Sequence, residues 1–280
     1  MMSFWYLLKN ELLRLFLRKR SYIGYVVFLA LEIFLLFLLR SPTVQSRFQR
    51  VLQSNGYGFE EYFSGLTIGF LVLFWSLFLL GALYLSLIGG DIVAKEVEDG
   101  TMRMLLCRPS SRNRILTVKF LSVFIYTFSL VTFIALSALL FGMIQAGWGG
   151  LFVFIPAEAI FEVFPPTQGL MRYLASIPFL TLSMTIVTSL AFMLSCLRIK
   201  PATASILTLS ILFVDMILHN IPYFDSFHQY FLTARVGAWL LLFHEHIPWH
   251  TLIQEYSWLF GLNATFVLIG FALFNSRDLK

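Results

Sequence analysis

Three histidines and an acid crowd one short stretch, His244-Glu245-His246 followed by His250, and imidazole nitrogens so close together are raw material for a zinc site. The spacing argues against one. A metalloprotease helix needs His-Glu-x-x-His, whereas here Pro248 separates His246 from His250 and disrupts any helix that would align them. His244, His246 and His250 are therefore candidate metal ligands by residue type alone. With His219, His228, Trp239 and Trp249 they read instead as a re-entrant or amphipathic segment at an apolar–aqueous boundary. A second constellation, Pro156-Ala157-Glu158-Ala159-Ile160-Phe161-Glu162, sets two carboxylates four apart on one face of an expected short helix. Paired carboxylates are the tools of glycoside hydrolysis, but no nucleophile, base or metal set accompanies these. Glu32 and Asp215 are different in kind, because each interrupts a long apolar run.

Those runs dominate the composition. Apolar types make up 59% of the 280 residues and charged types 12%, about half the roughly 25% of soluble domains. A soluble fold with so few charges would expose large adhesive patches, so the chain is read as living in lipid. Charge-free or nearly charge-free stretches fall at about 22–39, 66–90, 120–144, 173–197, 201–219 and 256–276. Each is long enough to cross a bilayer at 1.5 Å per residue. The stretches are continuous and lack the period-two alternation of barrel strands, and backbone satisfaction in hydrocarbon then leaves helices. The expected fold is an all-α membrane protein of six transmembrane helices, with the whole chain, 1–280, forming a single domain.

Orientation follows from the bases. Fifteen of the twenty Lys and Arg lie before the first run, between runs two and three, between four and five, or after six; five lie on the other side. The base-rich side, which holds both termini, is expected to be cytoplasmic. Cys107 and Cys196 then face a reducing compartment and no disulfide is expected. The net charge of +5 belongs to this asymmetry rather than to nucleic-acid binding.

Residues 1–21 are read as an amphipathic elbow helix. At 100° per residue Trp5, Leu8, Leu12, Leu15 and Phe16 gather on one side, with Glu11, Arg14 and Arg18 roughly opposite, so that the helix can lie in the headgroup layer. Residues 91–118 form the densest patch of charge. Asp91, Glu96, Glu98 and Asp99 precede Gly100, and Arg103, Arg108, Arg112, Arg114 and Lys119 follow it. Gly100 is expected to end the helix leaving run two, Thr101 to cap a short cytoplasmic helix that Pro109 stops, and Ser111 or Asn113 to cap the helix entering run three. Within the first run, Glu32 either lines a polar path or couples helices, or else is a neutral packing residue. Asp215 sits near enough to the boundary to be solvated.

The succession Glu96, Glu98, Gly100, Thr101, Leu105, Leu106, Pro109, Ser111, Arg112, Ile115, Lys119 resembles the first cytoplasmic loop of ABC transporter permeases of the type-2 export class. The closing Phe274-Asn275-Ser276-Arg277-Asp278-Leu279 resembles their short Arg-Asp tail. Arg103 departs from the pattern, standing where the family more often has an apolar or acidic residue. The resemblance implies a half-transporter of the bacterial plasma membrane, an exporter powered by a separate ATP-binding subunit, with two permeases and two ATPases around a path at the permease interface. It also implies that the partner docks on the elbow helix and on a coupling helix carried by Glu96, Glu98, Gly100, Thr101, Arg103, Leu105, Leu106, Pro109 and Arg112. The chain has no Gly-x-x-x-x-Gly-Lys-Ser/Thr loop, so ATP and Mg are expected on the partner, with no cofactor and no catalysis on this chain. The alternatives are an assembly or signalling subunit on the same fold and an intramembrane enzyme, the latter without a catalytic dyad in the spans.

Overall fold

The computed structural model describes residues 4–102, 111–156 and 160–276. In chain order it contains α1 (Phe4–Leu17), α2 (Lys19–Leu39), α3 (Pro42–Ser54), α4 (Phe59–Tyr62), α5 (Gly65–Ser76), a π-helical turn (Leu77–Gly81), α6 (Ala82–Glu98) and α7 (Arg112–Ala146). There follow β1 (Leu151–Ile155), β2 (Ile160–Phe164), α8 (Pro166–Ser195), α9 (Pro201–His219), a 3-10 segment (Pro222–Tyr230), α10 (Leu232–Val236), a second 3-10 segment (Gly237–Phe243) and α11 (Trp249–Asn275).

Six of these helical stretches are long and apolar enough to cross a membrane: α2, α5 through α6, α7, α8, α9 and α11. They match the six apolar runs, two of which, 173–197 and 256–276, reach one or two residues past the ends of α8 and α11. Two of them reach well beyond the hydrocarbon requirement of about 20 residues, the second at 34 residues and the third at 35. Their surplus turns project together at the base-rich end, carrying Asp91–Glu98 on one and Arg112–Lys119 on the other. α8 is the most enclosed span, with 78% of its apolar window buried, and α11 the least at 17%, so the bundle is built around α8.

Local chemistry sets the boundaries. Ser111 caps α7 by accepting from Arg114 N–H at 3.4 Å, and Gly100, at φ +72°, takes the left-handed conformation just past the end of α6. Pro42, Pro166 and Pro201 open their helices at positions where no amide hydrogen is needed.

The structure corrects two expectations. Where a short helix over 156–162 was expected, the described residues Ile160–Glu162 lie in a strand. β1 and β2 are an antiparallel hairpin in the register Leu151↔Phe164 to Ile155↔Ile160, with Glu162 opposite Val153, and Glu158 lies outside the described residues. The aromatic and β-branched residues flanking Pro156 favour a pleated pair over a helical turn. On α1 the buried residues are Leu8, Glu11 and Leu15, while Trp5 is 73% exposed. Glu11 thus shares the packed face instead of opposing it.

Candidate functional site

Buried charge collects where the extensions of α6 and α7 meet α1. Lys119, on α7, is 1% exposed, an unusual position for an ammonium without partners. Its Nζ donates to Glu11 Oε1 at 2.8 Å, across 108 positions of sequence. It also stands 2.7 Å from Glu96 Oε2, outside hydrogen-bond direction, so that contact is an ion pair by proximity. Glu96 Oε1 faces Arg18 at 3.4 Å and Arg14 at 3.6 Å. One lysine thus binds the elbow helix and the end of span two to the start of span three, and two arginines close the cluster from α1 and the residue that follows it. Arg20 pairs with Asp91 one step nearer the bilayer.

The elbow is fixed from beneath as well. Tyr84 Oη donates to Arg20 O at 2.7 Å and lies 3.0 Å from Tyr126 Oη, which reaches Ser21 O at 3.1 Å. Two phenols from spans two and three therefore hold the carbonyls at which α1 passes into α2. Gly24 lets the Tyr84 ring in, since a Cβ there would fall 1.9 Å from Tyr84 Cζ. A groove of about 460 Å³ runs between α1 and α7, bordered by Leu7, Asn10, Arg14, Thr101 and Ile115, with Lys119 and Glu11 in its wall.

The residues expected to dock a partner divide accordingly. Glu98 and Gly100 are exposed beside this cluster, and Thr101 is partly so, its hydroxyl donating to Glu96 O at 3.2 Å. Arg112 is exposed and reaches Asn275 O at 3.4 Å, tying the start of α7 to the end of α11. Arg103, Leu105, Leu106 and Pro109 lie outside the described residues. Glu96 is not a surface residue: at 2% exposure it lies beneath the segment expected to dock a partner, in the ion cluster, where its carboxylate neutralises Lys119.

Glu32, midway along α2, is fully buried. Its Oε1 accepts from Ser137 Oγ on α7 at 2.9 Å, and its Oε2 has no hydrogen-bond partner among the described residues. A hydrogen bond thus joins spans one and three at this point, and neither groove at the base-rich end includes Glu32.

At the opposite end, Arg172 donates to Leu242 O at 2.7 Å, to Glu245 O at 2.8 Å and to His244 O, with its guanidinium 4.3 Å from the centre of the Phe164 ring. Asp215 accepts from Leu232 N–H, Thr233 N–H and the Thr233 hydroxyl, holding the first turn of α10 rather than facing solvent alone. Between these anchors the second 3-10 segment buries Trp239, Leu240, Leu242 and Phe243, with the Trp239 and Phe243 rings against Phe70. His246 and His250 are exposed and His244 partly so, and among the described residues no three His, Cys, Asp or Glu side chains converge as a metal site.

Sequence reasoning missed Lys119 as a hub, and Tyr84 and Tyr126 altogether. A lysine within an otherwise apolar helical entry, with acids at a distance to match it, was the available signal.

The sequence matches the family described as ABC-2 family transporter protein over residues 5–225. The uncharacterized protein YhcI of Bacillus subtilis (strain 168) is 29% identical over 113 residues, 39% of this chain. The match spans 36% of that protein's length. Six spanning helices and a family match over most of the length agree: this chain is a multi-pass membrane protein that belongs to the ABC-2 transporter family.

Proposed function

We propose that the chain is the membrane-spanning half of an ATP-driven exporter in the bacterial plasma membrane, with both termini cytoplasmic and a separate ATP-binding subunit as its motor. Two permeases and two ATPase subunits form the working unit, and the substrate path runs between the permeases. The observation that carries this reading is the ion cluster of Glu11, Glu96 and Lys119, closed by Arg14 and Arg18. It joins three helices at the base-rich end directly behind Gly100. A push on the segment after Gly100 therefore meets a unit locked to the elbow and to span three, not a loose loop. The skew of fifteen bases to that end supports its placement in the cytoplasm. Glu32, coupled to Ser137, links spans one and three at mid-bilayer.

The test is co-purification with a cognate ATPase. Deleting residues 99–108, or replacing Gly100 by Pro, should abolish the complex while leaving the six-span bundle folded. If both variants retain the ATPase, the docking assignment is wrong. If no ATPase accompanies the intact chain, the reading as a driven permease is wrong.

A further inference from the structure

A second groove opens at the base-rich end, where α1 turns into α2. It holds about 340 Å³ and lies between that turn and the second half of α6. α6 and the residue that ends it contribute Ile88, Asp91, Ile92, Lys95 and Asp99, which are spaced to share one helical face and cover about 16 Å of its axis. This stripe changes character along its length. Ile88 and Ile92 are buried at the bilayer end, whereas Lys95 and Asp99 stand where the helix outruns the hydrocarbon. The turn contributes Arg18, Lys19 and Arg20.

The charges of the groove do not cancel. Asp91 is answered by Arg20, and Arg18 faces Glu96 of the ion cluster. Exposed Lys19 and half-buried Lys95 have no hydrogen bond or ion pair among the described residues. Arg20 keeps 63% of its side chain exposed after pairing, so its remaining N–H groups are open to a second acceptor. The acid left over is Asp99, exposed and one turn beyond Lys95 toward water. No side chain caps the first amides of α2, which adds to the positive excess. Beside these cations the surface is apolar, with Leu17, Tyr22 and Ile23 at 68%, 58% and 57% exposure. A free anion would answer the lysines alone. A phospholipid of net negative charge answers them with its phosphate and covers the apolar rim with its acyl chains.

We propose that this groove binds one anionic phospholipid of the base-rich leaflet, its phosphate held by Lys19, Lys95 and Arg20. The bound lipid bridges the start of α2 to the end of α6, and so holds the elbow to span two from the membrane side. The site requires only that the chain spans a bilayer, and it does not depend on a motor.

The test is native mass spectrometry of the full chain, delipidated in detergent and titrated with phosphatidylglycerol, phosphatidylcholine or glycerol 3-phosphate. The intact chain should retain one phosphatidylglycerol under conditions that strip phosphatidylcholine, and should bind glycerol 3-phosphate far more weakly. Lys19→Gln with Lys95→Gln should weaken phosphatidylglycerol about thirtyfold, each lysine near a membrane surface being worth about fivefold. Lys19→Arg with Lys95→Arg should keep it. So should Arg198→Gln with Lys200→Gln, which removes two exposed bases of the same end outside the groove. Unchanged affinity in the first Gln pair, or equal retention of the two lipids, overturns the site. Equal loss in the two Gln pairs also overturns it, because it shows only diffuse attraction to the base-rich surface. Glycerol 3-phosphate binding as tightly as phosphatidylglycerol overturns the lipid in favour of a free phosphate ester. If the first Gln pair fails to fold, the three ligands compared on the intact chain decide alone.

Discussion

At the base-rich end the charges answer one another, buried Lys119 with Glu11 and Glu96, and the more exposed Arg14 and Arg18 with Glu96. At the opposite end they mostly answer the backbone, Arg172 holding three carbonyls and Asp215 holding two amides and a hydroxyl. The difference follows from what each end is made of. The base-rich end is assembled from regular helices whose interior peptide groups already satisfy each other, so side-chain charges there pair mainly with other side chains, Arg112 on the terminal carbonyl of Asn275 being an exception at a helix end. The opposite end is short turns and 3-10 segments, whose ends leave amides and carbonyls needing partners. Charge thus joins helices at one end and completes irregular chain at the other. Arg235 is the intermediate case, paired with Glu255 and lying 5.1 Å from the Trp258 ring centre.

The sharpest way to break the contrast is Lys119→Met. Glu11 and Glu96 stay buried and lose their shared cation, a loss expected to be about 3–5 kcal/mol. Thermal unfolding in detergent should fall for the whole molecule, and adding Glu11→Gln and Glu96→Gln should restore most of it. An unchanged melting temperature for the single variant would mean that the cluster does not hold α1 to the bundle.

Next is Gly24→Ala, which drives a methyl into the Tyr84 ring and breaks the contacts of Tyr84 with Arg20 O and Tyr126. Overpacking of this kind costs about 1–3 kcal/mol. The same melting experiment reads it, and Tyr84→Leu in the same chain should relieve part of the loss by removing the clash.

Arg172→Met acts at the other end and should act locally. Freeing three carbonyls costs about 1–3 kcal/mol where they stay buried, less where water reaches them. Proteolysis within residues 237–248 should accelerate while the global transition shifts little. A global shift as large as that of Lys119→Met would erase the distinction between the two ends.

Asp215→Asn is the smallest expected change. Asn keeps one acceptor oxygen for the first turn of α10 and gives up the charge and the second acceptor, so the loss should be about 0.5 kcal/mol, with Asp215→Ala nearer 1 kcal/mol. Equal effects of the two would show that the carboxylate caps nothing.

Much of the base-rich end was legible from residue types. Gly100 and Ser111 announce their roles because a left-handed residue after a helix and a hydroxyl before one are local requirements. Glu11 was misplaced for an equally local reason. A carboxylate on a helical wheel reads as solvent-facing, although Leu8, Glu11 and Leu15 are spaced to share one face. The hairpin of β1 and β2 was lost because Pro156 with two acids four apart resembles a helix start, while the cross-strand pairing that overrides it lies up to 13 positions away.

The sequence alone determined that there are six spans and which end carries the bases. Run length and the absence of hydrogen-bonding solvent in hydrocarbon decide that without reference to any neighbour. Only the tertiary structure decided that Lys119 meets Glu11 and Glu96, that Glu32 meets Ser137, and that a π-turn interrupts span two. Those depend on how each helix is rotated about its axis and on what packs beside it, and that rotation is set by the whole bundle rather than by any local run of residues.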